Sequence, residues 1–162
     1  MHLSVKIIAG VAVAMAFSSS ALAGDLYVEN IHAPLRRVVP ELEHALTAHH
    51  FKVVMHLDVL KRIEAKEKVL HIPDLNQGKF TDVQAFVFCN PMFFSQLLNS
   101  DWKSAAVCPL DLTVFAKNGT TTIVYPERIA YTQKTPADTI AKRKIGERRV
   151  GKECRSRWSP YH

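Results

Sequence analysis

The sequence is poor in glycine and cysteine, and it lacks the short motifs on which several large enzyme classes depend. Six glycines and three cysteines are spread over 162 residues. There is no phosphate-binding loop, dinucleotide-binding glycine motif or Gly-x-Ser-x-Gly turn. The absence of Cys-x-x-Cys and His-Glu-x-x-His argues against thioredoxin-type redox chemistry and against a zincin-type metal site. We therefore assign no catalytic residue and predict no cofactor.

The sequence also lacks a hydrophobic stretch that is long enough to cross a bilayer. The longest apolar run, Ile7–Phe17, has eleven residues, whereas a membrane-spanning helix needs about 20. Lys6 precedes this run and small residues up to Ala23 follow it, which is the pattern of a secretory signal peptide. We predict that residues 1–23 are a signal peptide cleaved between Ala23 and Gly24. The protein would then be periplasmic or secreted, with no integral membrane segment after cleavage.

The basic charge of the chain comes largely from its two ends. Residues 147–162 look like one reading frame of a common short-read sequencing adapter, and Ile145-Gly146 looks like its start in a neighbouring frame. We therefore expect residues 145–162 to be an adapter-derived artefact outside the fold, and the domain at 24–144 to be truncated at its C-terminus. Of the formal charge of +6, the tail contributes +3 and Lys6 contributes +1, which leaves +2 for residues 24–144. So small a charge gives no electrostatic basis for a nucleic-acid partner.

Hydrophobic periodicity within residues 24–144 predicts alternating strands and helices. Strands are expected at 25–32, 51–57, 83–89, 110–117 and 120–125, and helices at 34–49, after Asp58, after Asn90 and from Pro136. We expect the strand at 83–89, which is apolar on both faces apart from Gln84, to be central and covered on both sides. Pro40 should either kink the first helix or stand in its first turn, with the helix beginning near Val39.

These elements predict the fold class α+β. The domain would be single, compact and two-layered, with a mixed or mostly antiparallel sheet and helices packed on it.

Three segments, in this order, carry a resemblance to a known family: LEHALTAHHF at 42–51, FVFCNPMFFSQLL at 86–98 and CPLDLTVFAKNGTTTIVYPERIA at 108–130. Together they resemble the domain-of-unknown-function 302 family, and the resemblance covers about residues 25–144. It implies a compact α+β domain in bacterial proteins that are often exported, with no established common chemistry. Relatives usually carry glycine where this chain has His50, which implies a backbone with positive φ at that position.

Cys89 and Cys108 are the two cysteines outside the C-terminal tail. An even number of cysteines in an oxidising compartment is compatible with a disulfide, but a redox or metal-binding pair and two inert thiols remain open. If antiparallel neighbouring strands carry the two residues, bonding is feasible. If a parallel crossover separates them, they lie on the order of 20 Å apart. We treat Cys89 and Cys108 as a candidate disulfide or redox pair.

Two further sets of residues could bind a ligand. Asn90 and Pro91 are typical of a helix start, and free N–H groups there could hold a small ligand or anion, although a capped helix start without a ligand explains the same pair. His56, Met55 and Met92 are weak candidates for a soft copper site. Alternation between the two faces of a strand explains the first two equally well, and we predict no metal.

The sequence thus favours an exported small binding or accessory domain of an unknown-function family, and it does not favour a hydrolase. Its partner would be a small ligand or another periplasmic protein, and a homo-oligomer built on an exposed sheet edge is a further expectation. The alternative is a periplasmic thiol-redox or soft-metal-binding protein that works through Cys89 and Cys108.

Overall fold

The structure is a computed structural model that describes residues 26–145. Its strands are β1 (Leu26–Ile31), β2 (Lys52–Asp58), β3 (Asp82–Cys89), β4 (Leu110–Lys117) and β5 (Thr120–Pro126). Its helices are α1 (Leu35–Ala48), α2 (Val59–Leu70), α3 (Pro91–Ser100) and α4 (Asp138–Ile145), with 3₁₀ segments at Trp102–Val107 and Ile129–Thr132. The predicted signal peptide and residues 146–162 of the predicted tail lie outside the described part of the chain.

The five strands form one sheet in the order β1-β5-β4-β3-β2, and every neighbouring pair is antiparallel. This arrangement confirms the predicted α+β class and resolves its sheet as antiparallel. One expectation about the sheet was wrong: β4 is the central strand, and β3 lies one place from the edge. Phe86 and Phe88 of β3 are buried in the core, whereas Ala85 and Val87 on its other face are only half-buried. Apolar residues on both faces therefore did not indicate a central strand.

The main core lies on one face of the sheet. Phe86 and Phe88 are the register partners of Leu112 and Leu110, so the four side chains share this face. Helices α1, α3 and α4 supply the other side of the same buried cluster, with Leu35, Val38, Leu42, Leu46, Phe93, Leu97, Ala141 and Ile145. Helix α2 contacts β3, but its one buried residue, Leu60, lies outside this cluster.

Helix α1 begins at Leu35, so Pro40 stands inside it, and of the two alternatives for this proline the helix start near Val39 is excluded. Pro40 is on the exposed side of the helix, where water can solvate the carbonyl that its missing N–H leaves unpaired. The helix ends in a Schellman arrangement, with His50 N–H donating to Thr47 O (2.9 Å) and Phe51 N–H to Leu46 O (2.8 Å). The φ of His50 is 64°, which confirms the positive value that the resemblance implied.

Local signals at other element ends were also correct. The Asp58 side chain accepts a hydrogen bond from the Lys61 N–H at the start of α2. Asn118 and Gly119, which both have positive φ, join β4 to β5 in a tight turn.

Helix α4 continues to Ile145, one residue past the predicted domain limit, because the Ile145 side chain is buried in the core. Between residues 26 and 145, no helix is both long enough and apolar enough to cross a membrane.

Candidate functional site

The two cysteines lie beside each other at one end of the sheet. Phe88 and Leu110 are Cα partners across the antiparallel pair β3 and β4. Cys89 follows one of these partners directly, and Cys108 precedes the other by two residues. Both cysteines are half-buried, and both thiols are free. The structure therefore excludes the distant arrangement, while a covalent bond between the two sulfurs stays a prediction.

The surroundings of Cys108 favour its protonated form. Burial, reinforced by the adjacent Cys89 thiol, raises the pKa of Cys108 to about 12, and the positive charge of Arg128 opposes this only weakly. Because the thiolate is the reactive nucleophile and the usual metal ligand, Cys108 is a poor nucleophile near neutral pH.

Arg128 ties the segment after β5 to the start of β4. Its Nη1 donates a hydrogen bond to the Pro109 carbonyl oxygen at 3.2 Å, and its Nη2 forms an ion pair with Asp111. Pro109 directly follows Cys108, and the peptide bond between the two is cis. The guanidinium group therefore contacts the backbone one residue away from the thiol pair.

Tyr125 adds a buried hydroxyl to this end of the sheet. Its side chain is 2% exposed, and among the described residues its hydroxyl has no hydrogen-bond partner. Burial raises the pKa of Tyr125, an effect that the charge of Arg128 opposes and that Asp111, Glu127 and Cys108 reinforce. Tyr125 is thus a neutral polar group among charged neighbours.

A groove of about 660 Å³ adjoins this cluster. It is lined by residues from the two 3₁₀ segments and from the end of β5, namely Lys103, Ala106, Val107, Pro126, Glu127, Arg128, Ala130 and Tyr131. Its volume is within the usual range for small-molecule sites, roughly 300–1,000 Å³. Apolar side chains and backbone form much of the wall, two cations border it, and the Tyr131 side chain is 74% exposed.

The sequence did not predict this groove. Its two halves, around residues 102–107 and 126–131, are separated by strands β4 and β5 and meet only because the two 3₁₀ segments pack together. The one available signal was Pro126-Glu127-Arg128, a proline and two charges directly after a mostly apolar strand. Such a cluster marks a strand end but names no function.

Asn90 is placed as a helix cap. Its side-chain Oδ1 accepts a hydrogen bond from the Phe93 N–H at 3.0 Å, and its backbone carbonyl accepts one from the Phe94 N–H at 2.9 Å. Pro91 occupies the first turn and has no N–H to offer. Since Asn90 is 2% exposed and its side-chain oxygen is occupied, the capping role accounts for this pair. An anion at the same place stays a prediction.

The three weak metal candidates do not form a cluster. Met55 and His56 are consecutive residues of β2, paired in register with Val87 and Phe86, and so point to opposite faces. The His56 ring stacks on Phe86 with 4.2 Å between centroids, and Met92 is exposed on α3. Within residues 26–145, no group of three or more His, Cys, Asp or Glu side chains could hold a metal ion.

Comparison with known proteins identifies relatives without a known activity. The family model described as "Domain of unknown function DUF302" matches residues 27–145. A solved structure, described as uncharacterized conserved protein DUF302 from Bacillus stearothermophilus, is 24% identical, with a TM-score of 0.64. The alignment covers 82% of this chain and 97% of the other, which supports a shared fold. No curated protein matches the sequence.

Proposed function

This chain belongs to the DUF302 family, and we propose that it is an exported binding module whose groove takes a small organic acid. The observation that carries this proposal is the pairing of two cations, Lys103 and Arg128, with an apolar wall in one groove. A ligand that matches would have an apolar body and a single negative charge.

Lys103 would supply the electrostatic attraction for the negative charge of the ligand. Its ammonium lies 5.7 Å from the centroid of the Trp102 ring, and it forms no salt bridge with any residue between 26 and 145. A carboxylate in the groove would therefore gain a charge-assisted contact without competing with a carboxylate of residues 26–145.

The remaining charges in the groove favour a ligand with one negative charge. The charge of Arg128 is already balanced in part by Asp111, and Glu127 lines the same groove. A second negative charge on the ligand would be repelled by these carboxylates. A monocarboxylic acid thus fits better than a polyphosphate or a nucleic acid.

The proposal can be tested with a matched pair of probes, 2-naphthoate and the uncharged 2-naphthamide, titrated into the protein by calorimetry. Because a hydrogen bond to a charged group contributes about 1.5–3 kcal/mol, we expect the acid to bind at least about tenfold more tightly than the amide. Lys103→Gln should remove most of that preference and leave amide binding unchanged. Equal affinity for the two probes, or no binding of either, would contradict the proposal.

Lys117→Gln is the matched control for this experiment. Like Lys103, Lys117 is an exposed lysine whose ammonium lies 5.7 Å from an aromatic ring, in this case Phe80, but it does not line the groove. The Lys117→Gln substitution therefore removes the same charge from the same kind of environment as Lys103→Gln does. If it weakened naphthoate binding as much as Lys103→Gln does, the effect would be one of overall charge, and the assignment to the groove would be wrong.

The second candidate function is thiol-redox or soft-metal binding through Cys89 and Cys108. The position of both cysteines at the same end of the neighbouring strands β3 and β4 favours it, because two sulfurs close together can bind Cu(I) or exchange with a disulfide. The raised pKa of Cys108 counts against rapid thiol catalysis. Stoichiometric Cu(I) binding that disappears in a Cys89→Ser, Cys108→Ser variant would put this function ahead of the first, and absence of binding would remove its metal form.

Export is part of the proposal and has its own test. The chain would be expressed with residues 1–23 attached, and the periplasmic fraction would be examined by intact mass spectrometry. A mass that corresponds to a chain beginning at Gly24 would support export with cleavage after Ala23. An uncleaved protein confined to the cytoplasm would contradict it.

A further inference from the structure

We infer that oxidation of Cys89 and Cys108 to a disulfide releases Arg128 and raises the affinity of the groove for an anionic ligand. This inference rests on the proposed function, because it concerns the regulation of the same groove. It adds that the exported, oxidised protein is the form that binds best.

The thiol pair and the groove share one stretch of backbone. Val107, immediately before Cys108, is buried and forms part of the groove wall. Pro109, immediately after it, offers the carbonyl oxygen that the Arg128 Nη1 contacts at 3.2 Å. Any displacement of Cys108 therefore acts on the wall of the groove from one side and on its arginine from the other.

Disulfide formation requires such a displacement. Both thiols are free, so the two sulfurs lie farther apart than the bonded separation of about 2.05 Å and must approach each other for a disulfide to form. Cys89 is held within the sheet, where it pairs with Lys52 of β2. Cys108 lies between a 3₁₀ segment and the first residue of β4, outside the ladder of paired residues. We therefore expect Cys108 and its neighbours to move more than Cys89.

The movement has a specific consequence for Arg128. When the Pro109 carbonyl shifts with Cys108, the 3.2 Å hydrogen bond to Nη1 is stretched or lost. The ion pair with Asp111 still holds the guanidinium at the groove. The released N–H then becomes available to a carboxylate bound beside it, which strengthens binding.

The chemical step is a thiol–disulfide exchange with a small-molecule disulfide as the oxidant. One cysteine sulfur attacks the oxidant, forming a mixed disulfide and expelling one thiol. The second cysteine sulfur then attacks the mixed disulfide and expels the other thiol. The two cysteine hydrogens end on the two thiols released, so the protein loses two hydrogens while the oxidant gains them. Because burial raises the pKa of Cys108, its thiol is a poor attacking group near neutral pH, and the exchange should be slow.

The experiment uses oxidised glutathione or dithiothreitol to prepare the two forms of the protein. Intact mass should show the loss of two hydrogens with no glutathione adduct in the oxidised form. Nuclear magnetic resonance of the arginine side-chain N–H groups then reports on Arg128, and calorimetry with 2-naphthoate reports on the groove. We expect the Arg128 signal to shift and the affinity of the oxidised form to rise at least about tenfold, as one added hydrogen bond to a charged group would give. The Cys89→Ser, Cys108→Ser variant, treated in the same way, should show neither change.

The outcomes separate this inference from the proposed function. If naphthoate binds neither form but the Arg128 signal shifts on oxidation, the coupling is supported and the ligand class is wrong. If naphthoate binds the reduced protein and a disulfide forms without changing either the signal or the affinity, the coupling is overturned and the ligand class stands. Failure of the pair to form a disulfide, or a loss of affinity on oxidation, also overturns the coupling.

Discussion

Replacing Asn90 by alanine should destabilise the protein far more than the loss of a surface asparagine does. The Asn90 side chain accepts a hydrogen bond from the Phe93 N–H at 3.0 Å, and both residues are almost completely buried. Loss of an N-cap costs about 1 kcal/mol. Here the Phe93 N–H would also be left in a place that water does not reach, and an unsatisfied buried donor costs about 1–3 kcal/mol.

These contributions overlap, and we expect Asn90→Ala to lower the free energy of unfolding by about 2 kcal/mol. For a domain of this size, the corresponding fall in Tm is about 8 °C. Asn90→Ser, which keeps a capping oxygen, should recover much of the loss. Urea denaturation followed by circular dichroism measures the change directly, provided that the dependence on urea concentration is the same in all variants.

Asn99→Ala is the internal control for this series. Asn99 is exposed near the other end of α3, and among the described residues its side chain makes only a long 3.4 Å contact with the Ser95 hydroxyl. Its replacement should change stability by less than about 0.5 kcal/mol. If Asn90→Ala had an equally small effect, the argument from burial and capping would be wrong.

The same experiment bears on the predicted anion site at Asn90 and Pro91. An anion bound there would stabilise the folded protein as its concentration rises. Phosphate titration of the wild-type protein at constant ionic strength therefore complements the variants. A rise in Tm with phosphate that Asn90→Ala abolishes would support the anion site, whereas no rise leaves capping as the sole role of the pair.

Two further predictions concern the core and the start of α2. Phe86→Ala should lower the free energy of unfolding, measured by urea denaturation, by about 3–5 kcal/mol, because the ring is fully buried and supports the His56 ring. Phe94→Ala, at a partly exposed position on α3, should lower it much less. Similar losses for the two variants would refute the core assignment. Hydrogen bonding from the Lys61 N–H lowers the pKa of Asp58 below its usual 3.8. The charged carboxylate therefore stabilises the folded protein at pH values above the unfolded-state pKa. This stabilisation is lost as the pH falls through the folded-state pKa. Asp58→Asn keeps a capping oxygen without the charge, so its stability deficit should shrink on acidification, and a deficit that is constant with pH would contradict this account.

Local features of the fold were predictable because neighbouring residues determine them. Asn90-Pro91 as a helix start, Asp58 as a cap and the turn at Asn118-Gly119 each depend on a few consecutive residues and their hydrogen bonds. The positive φ of His50 followed from the family resemblance. The position of β3 did not follow, because an apolar strand can lie one place from the edge when its second face is only half-covered.

The sequence by itself determined the alternation of strands and helices, the helix caps and the family, since each is encoded in short-range pattern or in the order of motifs. Only the tertiary structure decided that Cys89 and Cys108 lie at the same end of the sheet, because their placement depends on the antiparallel pairing of β3 with β4. It also created the groove that contains Lys103 and Arg128, because the two segments that line it lie before and after the β4–β5 hairpin in the sequence. Contacts between distant residues arise from packing, which is a property of the whole domain and of no single segment.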